Sequence, residues 1–392
     1  MTRVAITADL HVDTYGMGRD SETGLDRREL DVLRTVAWVG RTARERGADV
    51  LVVAGDFTES KTVTRDGRGP STGRIDAIRT ALTEGPERQI HVRGNHDKLE
   101  RGRSIVSVLA DHEGWSGFDV EPGFEIVGGV AICCIPFLDR AFYRAQPGNE
   151  TKPESQAFAE LGELYLVIAR GLYIQAIDAG ASAAILVGHQ QLPAELSDTQ
   201  RSFLGDVDLV VDPRALSAIG YAAVVFGHVH RAQTIVDDPV CPVLFVGAPE
   251  RVDFAEEGED KSFVILDIVD GRATIERIPT PARSFVTLDA SAWPQRDDDI
   301  GGPREDIFQD AIVRVVNVPP EDDVAAVRRT LENLGAFAVT SIKARPLEVV
   351  EAAGGMSESL SAEELLEQDL AEHPDREALV ALGRELLAEV AA

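Results

Sequence analysis

Five apolar runs in this sequence end in the same way. A short strand-like stretch gives way, with at most one glycine between, to Asp, Asn or His. Val4 to Ala8 runs into Asp9-Leu10-His11, Val50 to Ala54 into Gly55-Asp56, and Gln89 to Arg93 into Gly94-Asn95-His96-Asp97. Ala183 to Val187 runs into Gly188-His189, and Ala222 to Phe226 into Gly227-His228-Val229-His230. Short apolar runs separated by helical stretches read as the strands of an α/β domain. Polar residues at the C-terminal ends of such strands lie on the edge where open α/β sheets place their ligands. Any fold for this chain has to account for five such strand ends.

The histidines point the same way. Of eight in the chain, five (His11, His96, His189, His228 and His230) fall in these motifs. His91, His112 and His373 read as ordinary strand, loop and interhelix positions. Each motif alone has a plain explanation: Asp-x-His is more often a turn or cap than a ligand pair, and Gly-Asp is often just a turn. Gly-Asn-His-Asp and Gly-His-x-His are more specific, and the ordered set of five is more specific still. At an extended strand end, residues i and i+2 point the same way, so Asp9 and His11 can converge on one ion. Four of the motifs carry a glycine that lets the backbone turn sharply. The donors are oxygen and imidazole nitrogen, which suits Mn, Fe, Zn or Mg and disfavours Cu(I) or iron–sulfur. Two ions about 3.5–4 Å apart need a bridging carboxylate. Asp56 is the expected bridge, since only two acids sit squarely in ligand positions.

Composition narrows the classes. The chain has 392 residues, 44% apolar, enough for a large catalytic domain and something smaller. No apolar run approaches the ~18 residues needed to span a bilayer, and the N-terminus enters a strand with no signal-peptide pattern. We therefore expect a cytoplasmic protein with no membrane association. Cys133, Cys134 and Cys241 lack metal or disulfide spacing and read as buried thiols. A net charge of −28 argues against broad, nonspecific adhesion to nucleic acid, though not against a local site where cations and a few arginines meet phosphate.

The order of elements sets the domains. Asp26 and Glu29 have capping-box spacing at the start of a helix through Leu30, Leu33, Val36 and Val39. Ile75 to Leu82 looks helical. Gly128-Gly129 and Asp270-Gly271 each join two strands into a hairpin, so the sheets are mixed. The expected fold class is α/β, a two-sheet sandwich flanked by helices over residues 1–282. A small α+β capping domain follows over 283–347. Residues 348–392 then form an acidic helical tail, with twelve Asp and Glu against two Arg, a local balance of −10. Leu379, Leu382, Leu386 and Val390 give its last helix an apolar stripe, fit either for a partner or for its own domain.

The ordered motifs resemble the calcineurin-like metallophosphoesterase superfamily over roughly residues 3 to 231. The resemblance implies two divalent metal ions. Asp9, His11, Asp56 and His230 would take one; Asp56, Asn95, His189 and His228 would take the other. It places His96 beside the scissile phosphate as general acid or charge stabiliser, with Asp97 orienting it. A later stretch, Gly247-Ala248-Pro249-Glu250-Arg251-Val252-Asp253-Phe254 and on to Phe263, is similar to the segment closing the core in SbcD-type DNA repair exonucleases. Gly227 to Gln233 fits that branch, and Arg283 to Leu288 resembles the start of its capping domain. This likeness implies Mn2+, a DNA substrate, a homodimer and an SbcC-type coiled-coil ABC ATPase bound at the tail.

Three features depart from the pattern. Glu59 stands where some relatives carry His or Asp, Lys61 to Thr72 is a long polar loop with Lys61, Arg65 and Arg68, and Gln190-Gln191-Leu192 lacks the usual small residues. The alternatives are a small-molecule or protein phosphoesterase with the same ligands, and a scaffold without turnover, which a missing ligand would signal.

Overall fold

The computed structural model describes residues 1–59, 72–97, 103–138, 143–144, 148–150, 152–196, 211–290, 305–318 and 324–344. Nearly all of the loop from Lys61 to Thr72, His373 and the whole 348–392 tail lie outside the described residues. Residues 1–345 form one compact unit.

In chain order the first unit begins with β1 (Thr2–Thr7), α1 (Arg27–Glu45), β2 (Val50–Ala54), α2 (Thr72–Leu82), β3 (Gln89–Val92), α3 (Ile105–Leu109) and β4 (Trp115–Phe118). It continues with β5 (Gly123–Val127), β6 (Val130–Ile135), α4 (Glu154–Asp178), β7 (Ala183–His189), α5 (Pro213–Ser217), β8 (Val224–Gly227), β9 (Gln233–Val236) and β10 (Val243–Phe245). The last elements are β11 (Ser262–Val269), β12 (Arg272–Pro279), β13 (Phe285–Asp289), β14 (Ile312–Val318), α6 (Val324–Asn333) and β15 (Ala338–Ala344).

Two six-stranded mixed sheets stack, in the orders β12-β11-β1-β2-β3-β4 and β5-β6-β7-β8-β10-β9. In the first, β1 to β4 run parallel out to the β4 edge and the antiparallel hairpin β11-β12 closes the other side; in the second, four central strands run parallel and the antiparallel strands β5 and β9 close the edges. Strands buried on both faces carry apolar residues at successive positions rather than alternating ones, which is why Val50 to Ala54 and Ile132 to Ile135 are uninterrupted. One face packs sheet on sheet, with Val4, Ile6, Val52 and Val92 meeting Ile132, Ile185, Val187 and Val225. The outer face of the first sheet packs on α1, α2 and α3 through Val32, Val36, Ile78 and Val106. The outer face of the second packs on α4 and α5 through Leu161, Tyr165, Leu172 and Leu216. Adjacent Cys133 and Cys134 fall on opposite faces, and all three thiols are free and buried.

Both expected hairpins form. Gly128 and Gly129 (φ 55° and 86°) and Asp270 and Gly271 (φ 49° and 76°) supply the two consecutive positive φ angles of a type I′ turn. The helix at Arg27 also forms, but its capping box is only half made. The Asp26 side chain accepts from the amides of Arg28 and Glu29, whereas the Glu29 carboxylate turns to Arg74 at 2.8 Å. The 25-residue α4 has no counterpart in the sequence reading, although Ala157, Leu161, Tyr165, Ala169, Leu172 and Ala176 mark a helical stripe.

The last three strands make a separate parallel sheet, β13-β14-β15, with its own core of Leu288, Val313, Val315, Leu331 and Val339. A buried ion network joins its start to the sandwich. Arg28, wholly buried, pairs with Asp31 at 2.6 Å and Glu250 at 2.8 Å, and Arg283 grips Asp31 through two 2.6 Å contacts. Phe337 lies under the guanidiniums of Arg27 (4.4 Å) and Arg283 (3.8 Å). Removing one member of such a buried pair typically costs about 3–5 kcal/mol, because the other charge is stranded. Among the described residues no helix is long and apolar enough to cross a membrane.

Candidate metal centre

Backbone pairing carries the first two motifs beyond their strands. The amides of Asp9, His11 and Val12 donate to the carbonyls of Gly55, Asp56 and Phe57, each at 3.0 Å, so the two segments travel as a ladder into the site. The second sheet meets them there. His189 Nδ1 donates to the Ala54 carbonyl at 2.7 Å, and the His228 amide donates to Asp9 Oδ1 at 2.9 Å. Asn95 Oδ1 lies 3.0 Å from His189 Nε2 and 2.9 Å from His228 Nδ1. All five motifs converge.

The local reasons differ from those the sequence suggested. Asp9 and His11 do not converge by extended alternation; their φ angles are 53° and 45°. Asp56 (55°) and His228 (87°) are also left-handed. Such backbone costs about 1–3 kcal/mol per residue and persists where surrounding structure over-determines it, commonly at functional sites. The glycines serve space more than turning. Of the four, only Gly55 has a positive φ. A Cβ on Gly55 would overlap the His189 ring, on Gly94 the Asp56 carboxylate, on Gly188 the Tyr165 hydroxyl, and on Gly227 the Ala54 carbonyl.

Three groups of donor atoms result, each mutually within 4.8 Å: Asp9, His11 and His230; Asp56, His189 and His228; and His11, Glu59 and His96. Asp56 Oδ2 lies centrally, 3.2 Å from His189 Nε2, 3.8 Å from His11 Nε2 and 4.0 Å from His96 Nε2. The residues fit divalent ions. The donors are hard oxygens and imidazole nitrogens, and His11 Nε2 is buried with no hydrogen-bond partner among the described residues.

The electrostatics agree. Burial opposes the charged form of His11, yet the Glu59 hydrogen bond and the Asp56 charge outweigh it and push the imidazole up to about 9. His189 likewise rises to about 9, with Asp56 overcoming its burial. Asp56 is itself buried, and the charges of His189, His96 and His11 hold it well below the usual carboxylate range. A divalent ion entering this cluster would displace protons from the imidazoles. Asp97 goes the other way, up to about 6, through burial and the adjacent Asp56 charge.

The Asp97 carboxylate is committed to backbone. It accepts from the amides of Gly94 (2.9 Å), Asp56 (2.9 Å) and Phe57 (3.0 Å), which locks the Asp56 turn to the Asn95 loop. The His96 amide donates to Asp56 Oδ1 at 2.8 Å, and its ring nitrogen Nδ1 is 3.7 Å from Glu59 Oε2.

Three side chains at the site were not among the expected ligands. Glu59, noted only as a departure, reaches His11 Nδ1 at 2.5 Å. Glu256 holds His230 Nδ1 at 2.6 Å. Phe137 lies against the His228 ring at 5.9 Å between centroids. Nothing local marks them; the one sequence signal is the acidic stretch after Phe254, which holds Glu256. His91, by contrast, is a core residue packed between Phe57 and Trp115.

The sequence profile of calcineurin-like phosphoesterases matches residues 2–232, more than half of the chain and all five motifs. The chain belongs to the calcineurin-like phosphoesterase family. It is thus a phosphoesterase hydrolase of a family that uses divalent metals, and the clusters above are its candidate ligands. A curated relative, "DNA double-strand break repair protein Mre11" from Aeropyrum pernix, is 24% identical over 293 residues, covering 72% of this chain and 62% of the relative. The chain thus spans less than two thirds of that relative's length. Among solved structures, a dimetal phosphatase from Danio rerio is 13% identical with a TM-score of 0.46, covering 71% of this chain and 96% of that one. A purple acid phosphatase from yellow lupin is 14% identical with a TM-score of 0.43, covering 71% and 51%.

Proposed function

We propose that this chain is the nuclease subunit of a DNA-end processing complex of the SbcD type. It hydrolyses phosphodiester bonds with two Mn2+ ions, works in the cytoplasm as a homodimer, and is coupled to an SbcC-type coiled-coil ABC ATPase. The observation that carries the DNA assignment is the alignment to the relative named for double-strand break repair, which is longer than the family match itself. The Glu250 to Phe263 stretch and the layout of 1–282, 283–347 and 348–392 support the same reading.

In this reading Asp9, His11, Asp56 and His230 would hold one ion, and Asp56, Asn95, His189 and His228 the other. When bound, two such ions activate a water and neutralise charge on the phosphoryl oxygens. The chain supplies the rest. Asp56 presents its carboxylate between the two groups. Asp97 fixes that carboxylate's backbone, so the distance across the site does not drift. His96, held near Asp56 and Glu59, stands beside the phosphate and donates a proton to the leaving oxygen or stabilises its charge.

The test is cleavage of end-labelled duplex DNA with Mn2+, with and without the ATPase. Mn-stimulated nucleotide release, enhanced by the ATPase, is expected. Hydrolysis of a chromogenic phosphodiester with DNA left intact, even with the ATPase present, sinks the assignment. The second reading, a small-molecule or protein phosphoesterase, is favoured by the net charge of −28, which suits a compact substrate better than a long polyanion. Comparing phosphomonoesters, cyclic nucleotides and DNA at equal metal separates the two.

A further inference from the structure

Behind the candidate ligands, one turn faces two ways. The short 3₁₀ turn Phe254–Glu256 is capped by Asp253, whose carboxylate accepts from the Ala255 amide at 2.7 Å. Toward the metal centre it presents Glu256. Away from it, the Phe254 ring packs on Phe285 of β13 at 4.8 Å, and Glu257 accepts the Thr287 amide at 2.8 Å.

Glu256 closes a ring of contacts around one ligand. Its Oε1 is 2.6 Å from His230 Nδ1, and its Oε2 is 2.6 Å from Lys261 Nζ. Lys261 Nζ then donates back to the His230 main-chain carbonyl at 3.3 Å. Both the ring and the backbone of His230 are thereby held by one ion pair. That pair is buried, Glu256 at 1% and Lys261 at 3% exposure. Burying an ammonium and a carboxylate carries a large desolvation cost. Orientation alone does not require it: His189 in the other half of the site is oriented by a neutral carbonyl, that of Ala54. A charged backing adds what a carbonyl cannot, a fixed negative charge behind the ring that favours a cation on its other side.

We propose that Glu256, secured by Lys261, is a positioning residue that orients His230 and sets how tightly the Asp9–His11–His230 half of the centre holds its ion. The proposal rests on the two-ion reading above. It assigns a role to Glu256, twenty-six residues beyond His230 of the last metal motif. It also makes the turn the mechanical link between that ligand and the third sheet.

The experiment is calorimetric titration of metal-free protein with Mn2+, with electron paramagnetic resonance to count bound ions, on wild type, Glu256→Ala and the near-isosteric Glu256→Gln. Metal-free melting temperature is measured for each. Loss of a partner behind a metal-bound His costs about 10–100-fold in affinity. Expected, then, is that Glu256→Ala weakens one of two ions by that factor and leaves the other within about threefold. Glu256→Gln, which keeps an acceptor but not the charge, should fall between. If Glu256→Ala does not fold, Glu256→Gln alone decides, with a loss of at least threefold at one ion only. The proposal is overturned if both ions bind the variants as tightly as wild type. It is equally overturned if both weaken together in step with the metal-free melting temperature. Wild-type protein that binds two ions but never cleaves DNA counts against the nuclease reading alone.

Discussion

His91 and the pair His11 and His189 are equally buried, at 0%, 1% and 0% exposure, yet they are driven in opposite directions. In the interior of the first sheet, His91 sits between Phe57 and Trp115 with Gln89 Oε1 3.3 Å from Nε2. Burial, with a smaller contribution from His112, pushes it down to about 3, so it stays neutral. At the strand ends the same burial is overcome by Asp56, Glu59 and Asp9, and both imidazoles rise to about 9. The contrast teaches that dryness alone makes a core histidine. A site requires dryness together with carboxylates that cannot move away, and the left-handed turns at Asp9 and Asp56 hold those in place.

The comparison can be broken first at Asp56. Asp56→Asn removes the charge that, in the proposed reading, serves both ions. We expect both ions to be lost and phosphodiester hydrolysis to fall about 10³-fold or more, since each ~1.4 kcal/mol of transition-state stabilisation is a factor of ten. Titration with Mn2+ alongside a chromogenic assay measures both, and near-normal binding would remove Asp56 from the centre of the argument. His96→Ala should act differently. Hydrolysis drops by about 10²–10³-fold, within the range for a lost general acid, while two ions still bind; loss of an ion instead would place His96 among the ligands. Glu59→Gln is milder, with roughly tenfold weaker binding at the half containing His11 and little change at the other. Equal weakening of both ions would show that Glu59 does not act through His11.

The smallest effect lies at the core histidine and concerns stability. A group whose folded value is about 3 and whose unfolded value is near 6.5 binds a proton only in the unfolded chain between those limits. Stability is therefore lost as pH falls from 6.5 toward 3, by up to about 1.4 kcal/mol per pH unit, and is unaffected above 6.5. His91→Phe, which keeps an aromatic ring between Phe57 and Trp115, should flatten this slope and leave activity at neutral pH unchanged. Urea midpoints from pH 7 to pH 4.5 supply the measurement. Parallel slopes for the variant and wild type would mean that His91 is not what acid attacks.

Much of this was legible because it was local. Each apolar run with its ligands, and in four of the five a glycine between, lies within about ten consecutive residues, and both I′ turns were spelled out by Gly128-Gly129 and Asp270-Gly271. The identity of His91 as a core residue followed from its place inside a strand. What was not legible depended on residues far apart in sequence. Glu29 had the spacing of a capping box, but Arg74 from α2 draws its carboxylate away. Glu256 reaches His230 across twenty-six residues. Gly94 and Gly227 looked like turning points, yet each is glycine because another segment passes too close for a side chain.

By itself, then, the sequence determined the chemistry that was available: which five strand ends would carry Asp, Asn and His. It could do so because strand burial and turn type are set by neighbouring residues. Only the tertiary structure decided how those ends would work together. The ladder from Asp9 to Val12 against Gly55 to Phe57 arises from pairing of β1 with β2, and the crossing of His189 to Ala54 and the buried pair behind His230 arise where the two sheets meet. Close packing of segments distant along the chain fixes distances and charges that no local pattern encodes.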